Sequence, residues 1–144
     1  MNITIAGDHY TTELIAKLKQ LLEEKGFAVN DKGSASKEDK KTLQEIIPAV
    51  TKSVSNGSSQ FGVLACGTGV GVEIGANRFK GIRASLCRDA EQTKNARIYD
   101  NANVLCLGSW YGDDFEAILD AWLSNEFDGD EHRTQMLKDF DELV

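Results

Sequence analysis

Short β-branched runs alternate with amphipathic stretches along the whole chain. Asn2 to Ala6 predicts a first strand. Leu14, Ile15, Leu18, Leu21 and Leu22 then fall on one helical face, with Thr11 or Thr12 as N-cap and Gly26 as a C′ stop. Phe27 to Asn30 predicts a second strand, and Ser34 to Lys41 a polar loop. Helical spacing returns at Leu43, Ile46, Ile47, Val50 and Val54. Pro48 inside that run predicts a kink or a late start, because proline lacks the N–H and its ring crowds the preceding turn. Phe61 to Ala65 is apolar throughout, the mark of a strand covered on both faces. Beyond it the pattern predicts a helix over Val72 to Phe79, a strand over Ile82 to Cys87, a helix over Asp89 to Tyr99 and a strand over Asn103 to Leu107. Phe115, Ile118, Leu119, Trp122 and Leu123 make an amphipathic helix. Asp130 to Val144 makes the last one, with Met136, Leu137, Phe140 and Leu143 on one side.

Strict alternation of strand and helix predicts a single α/β domain over residues 1–144, with a parallel sheet and right-handed crossovers. Ligands of such sheets sit beyond the carboxyl ends of the strands. Three loops qualify: Gly7-Asp8-His9, Cys66 to Gly71, and Gly108-Ser109-Trp110. A net charge of −7 and a pI near 4.8 disfavour phosphate backbones and anionic membrane surfaces, so neither nucleic acid nor membrane is expected as a partner. No run approaches the roughly 18 apolar residues of a membrane span, and the first residues lack the basic region of a signal peptide. Three widely spaced cysteines give no disulfide framework and no zinc-type spacing. A reducing, cytoplasmic home is therefore expected.

Gly67, Gly69 and Gly71 alternate in a strand-to-helix turn. Glycines there let a ligand approach the backbone, and a helix start presents free N–H groups. A tight turn without a ligand explains them equally well. The spacing is neither a dinucleotide fingerprint nor a P-loop. Cys66 stands at the strand end, where the field of a helix start favours thiolate. Thr68, two residues on, adds a hydroxyl. Together they suit a base beside an oxyanion pocket. Cys87 and Cys106 lie inside strand runs and read as core. Asp8 and His9 follow the first strand, where a polar pair can cap a helix or handle hydroxyls and protons. His132 reads as a solvated side chain.

At these residues the chain resembles the sugar-phosphate isomerases comprising ribose-5-phosphate isomerase B and the galactose-6-phosphate isomerase subunits. The carrying segments are Gly7-Asp8-His9, Asp31-Lys32-Gly33, Leu64 to Gly71, Ala76 to Ala84, and Asn103 to Ser109. The resemblance implies a three-layer α/β/α, Rossmann-like domain around a five-stranded parallel sheet. It also implies homodimers or tetramers with shared active sites. The implied reaction interconverts an aldose and a ketose phosphate, pentose 5-phosphate-like, through an enediolate with neither metal nor cofactor. Carried over, Cys66 is the base. Thr68 and the backbone of Gly67, Gly69, Val70 and Gly71 hold the enediolate oxygens, while Asp8 and His9 serve the sugar. Tyr99, Asp100 and Arg133 complete the implied substrate-binding set.

The chain also departs from the family pattern. Tyr99 and Asp100 replace a His-Asn pair whose histidine opens the sugar ring. Trp110, Glu131 and Gln135 replace three arginines that hold phosphate, and Thr42-Leu43-Gln44 replaces Asp-Tyr-Pro. Two alternatives accompany the isomerase expectation. One is a subunit of a heteromeric enzyme whose paralogous partner supplies the arginines. The other is a non-catalytic sugar-binding paralogue.

Overall fold

The computed structural model describes residues 1–144. Five strands, β1 (Asn2–Gly7), β2 (Ala28–Asp31), β3 (Phe61–Cys66), β4 (Ala84–Leu86) and β5 (Val104–Gly108), form one parallel sheet in the order β2-β1-β3-β5-β4. Six helices alternate with and follow them: α1 (Thr12–Glu24), α2 (Leu43–Ser55), α3 (Val70–Ala76), α4 (Ala90–Asp100), α5 (Phe115–Ser124) and α6 (Glu131–Asp141).

Alternate strand residues face opposite sides of the sheet. Ile3, Ile5, Val63, Ala65, Leu105 and Leu107 pack against Leu14, Ile15, Leu18 and Leu22 of α1, Ala96 of α4 and Ile118, Leu119 and Trp122 of α5. Ala6, Leu64, Cys66, Val104 and Cys106 pack against Ile46, Ile47 and Val50 of α2 and Val72 and Ala76 of α3. These two cores make the α/β/α sandwich that the resemblance implies. The edge strand β4 is only half-buried, and α6 buries no residue fully.

Some boundaries differ from expectation. Helix α2 runs unbroken through Pro48, with neither late start nor interruption, because the lost Pro48 N–H is one bond against a face of Ile46, Ile47, Val50 and Thr51 that is buried. Thr11 is the α1 N-cap, but its hydroxyl donates to the Asp8 carbonyl (2.9 Å) instead of capping the helix. Strand β4 is shorter than Ile82 to Cys87, and α3 starts two residues before Val72. Gly26 does stop α1: at φ +90°, its N–H donates to Glu23 and the Phe27 N–H to Leu22.

Candidate active site

Three loops converge at the carboxyl edge of the sheet because parallel pairing brings their strand ends together. Gly7 pairs with Ala65, and Cys66 with Gly108. The Asp8 N–H continues the ladder to the Ala65 carbonyl (3.3 Å), and Ser109 N–H donates to Cys66 (3.0 Å). Close approach is enforced by glycine. A Cβ on Gly108 would stand 2.5 Å from the Thr68 carbonyl oxygen, and one on Gly33 2.4 Å from the Gly7 nitrogen.

Cys66 is buried, and its sulfur accepts the Gly69 N–H at 3.2 Å. Gly69 bends the chain with φ +77°, a conformation glycine adopts freely. Thr68 Oγ1 lies 3.9 Å from the sulfur and accepts the Val70 N–H (3.1 Å), so its own proton is free for a partner. The Gly69 and Val70 amides are thus engaged within the loop. Those of Gly67, Thr68, Gly71 and Val72 donate to no protein acceptor. The result is a sulfur held by one amide with a hydroxyl and several open N–H groups around it, suited to taking a proton and stabilising a nascent oxyanion.

Asp8 Oδ1 accepts the Tyr10 N–H (3.0 Å). Burial raises the Asp8 carboxyl above its ordinary value, against the opposing pull of that bond and of His9. His9 Nδ1 is buried without a partner, and so is Ser34 Oγ, whose residue donates its N–H to the Gly7 carbonyl (2.8 Å). Lys41 Nζ reaches the Gly33 carbonyl at 3.2 Å. Composition marks Ser34 and Lys41 only as part of a polar loop. The signal pointing to them was the second strand's own carboxyl end, which delivers its loop to the same edge.

An aromatic wall covers the glycine loop. A Cβ on Gly67 would lie 2.3–2.7 Å from the Trp110 indole. Tyr10 meets that indole edge-on at 5.4 Å and lies 4.2 Å from His9. Arg88, at the end of β4, is held in a two-toothed bridge to Asp113 (2.8 and 3.1 Å) over the Tyr111 ring.

Tyr99, Asp100 and Arg133 do not join this cluster within one chain. Helix α4 leaves the carboxyl edge after β4 and carries Tyr99 and Asp100 back to the edge where β5 starts. There the Arg133 guanidinium lies 5.1 Å from the Tyr99 ring and pairs with Asp128 and Asp130.

Comparison with known proteins gives a consistent result. Residues 3–138 match the family model described as Ribose/Galactose Isomerase. The chain is 34% identical to a galactose-6-phosphate isomerase subunit of Clostridium acetobutylicum, over all of this chain and 84% of that protein. It is 32% identical to D-erythrulose-4-phosphate isomerase of Pectobacterium atrosepticum, over 90% of this chain and 86% of that protein. A crystal structure of a ribose 5-phosphate isomerase from Thermotoga maritima superposes with a TM-score of 0.92 at 37% identity, covering 98% and 97% of the two chains.

Proposed function

The chain belongs to the ribose/galactose isomerase family, and from that premise we propose that it interconverts the aldose and ketose forms of a small sugar phosphate. The carrying observation is the Cys66 sulfur, held by the Gly69 N–H beside Thr68 and the open amides of the loop. In this reading Cys66 removes the proton from the carbon beside the carbonyl and returns it to the neighbouring carbon. Thr68 and the Gly67, Thr68 and Gly71 amides hold the charge that develops on oxygen. Asp8 and His9 handle the sugar hydroxyls. The chain's relatives act on sugars of different length, which supports the isomerase class over any single substrate. Exchange of the substrate C2 hydrogen with solvent, followed across tetrose, pentose and hexose phosphates beside the free sugars, tests the reading. No exchange with any of them would leave a sugar-binding protein without catalysis.

A homodimer is part of the proposal. Tyr99, Asp100 and Arg133 reach a Cys66 loop only if it is a second copy's. Exposed Phe140, Leu143 and Val144 at the α6 end offer that copy an apolar surface. A second reading, a mixed assembly with a paralogous subunit, is favoured by one observation. Trp110 lies over Gly67 where the family pattern has an arginine, and the chain's own Arg88 and Arg133 are already bound to carboxylates. Phosphate affinity that appears only when a paralogous chain is added would select it.

A further inference from the structure

A polar cavity of about 480 Å³ opens at the edge of the sheet opposite the Cys66 loop, where the strands begin. About 17 Å of strand separates that edge from Cys66. Its lining includes Arg83, Arg97, Gln60, Asn101, Asn125 and Glu126. Arg97 is only 6% exposed, yet no carboxylate pairs with it. Its Nε donates to the Asn125 carbonyl (3.3 Å) and its Nη1 to the Ala102 carbonyl, while its plane lies over Phe61 and Trp122 at 4.6 and 5.1 Å. Arg83 donates Nε to the Asn101 carbonyl (2.6 Å) and Nη1 to that of Gly81. It too has no ion-pair partner. The Nη2 group of each finds no protein acceptor.

A guanidinium withdrawn from water is stable when an anion meets it, and two in one cavity repel until one does. Burial lowers the pKa of both, and the Arg83 charge lowers that of Arg97 further; Glu126 and Asp141 oppose this only as more distant charges. Arg88 and Arg133, in contrast, already hold carboxylates.

We propose that this cavity binds a small oxyanion, a phosphate or phosphoryl group, between the free Nη2 groups of Arg83 and Arg97. The site is separate from the same chain's Cys66 loop and does not depend on the isomerase reading. Planar forks of this kind suit tetrahedral oxyanions.

The experiment is calorimetry and thermal melting with inorganic phosphate, against sodium chloride at equal ionic strength. Glycerol 3-phosphate in a parallel arm distinguishes a free ion from a phosphate monoester. Two exposed side chains at the rim tune the cavity without entering the core. Glu126→Gln, removing a repelling charge, should tighten phosphate about threefold, and Gln60→Glu should weaken it by a similar factor. Cys66→Ala should leave the affinity unchanged. Phosphate that stabilises no better than chloride overturns the site, as does an affinity equal in wild type, Glu126→Gln and Gln60→Glu.

Discussion

Cys66 and Cys87 are both buried, but only Cys66 ends its strand at a glycine turn whose amide reaches the sulfur. Cys87, one residue past β4, instead faces Ser85 at 3.4 Å between Sγ and Oγ. Cys66→Ala should lower turnover by about 10²–10⁴-fold, the range of a general base, with an unchanged melting temperature. Cys87→Ala should turn over like wild type. Steady-state assay on the best substrate of the panel checks both, and wild-type turnover in Cys66→Ala would remove it as the base. Trp110 is the residue-scale contrast. Replacing it by arginine puts a bidentate donor over Gly67, and a charge-assisted hydrogen bond contributes about 1.5–3 kcal/mol. Trp110→Arg should therefore bind ribose 5-phosphate about ten- to hundredfold more tightly, measured by calorimetry. Equal affinity would place phosphate capture away from the β5 loop.

At the scale of elements, periodicity was a sound guide wherever a face is buried. The α1 residues read as one stripe are the ones that pack on β1 and β3, and the Phe61 to Ala65 run is covered on both sides. The local proline rule misplaces one boundary that packing decides. There is no late start at Pro48: α2 begins at Leu43 and runs on past the proline, as its apolar spacing predicts, because Ile46, Ile47 and Val50 are buried against the sheet. The convergence of Asp8, Cys66 and Ser109 was legible because each follows a strand. The distance of Tyr99 from them within one chain was not, because the resemblance supplied a set of residues without saying which copy each comes from. Two positive-φ glycines at helix ends, Gly26 and Gly69, separate strain from crowding. Beyond Gly26 there is open space, so Gly26→Ala should cost only the left-handed backbone, about 1–2 kcal/mol in urea denaturation. At Gly69 a Cβ would also stand 2.6 Å from Leu86 and 2.8 Å from the Gly108 nitrogen. Gly69→Ala should be the more destabilising of the two and should abolish exchange at C2, by displacing the amide that holds Cys66.

For the whole molecule, the exposed end of α6 and the split placement of Tyr99 and Cys66 lead to the expectation of a dimer at micromolar concentration in sedimentation. A lone 15.8 kDa species would deny Tyr99 and Arg133 any role at a Cys66 loop. The core also sets an alkaline limit. Burial raises the Cys87 thiol above its usual 9.0, and raises that of Cys106 well above it. Above that pH the unfolded chain releases protons that the folded chain retains. Stability contributed by these thiols is therefore fully present below pH 9.0 and is lost as pH rises, by up to about 1.4 kcal/mol per pH unit per thiol. Urea midpoints between pH 8 and 10.5 should fall steeply in wild type and less steeply in Cys87→Ala. A parallel fall in both proteins would assign the loss to other groups.

The strand order has a kinetic consequence. β5 lies between β3 and β4, so β4 emerges from the ribosome with no strand to join until β5 follows. Nascent chains ending before Val104 can assemble β2, β1 and β3 but must leave Ala84 to Leu86 unpaired. Non-local pairing of this kind slows folding and leaves apolar segments open to aggregation meanwhile. The last strand to be made is thus an inner one, and until β5 inserts between β3 and β4 the earlier part of the sheet keeps an open edge at β3.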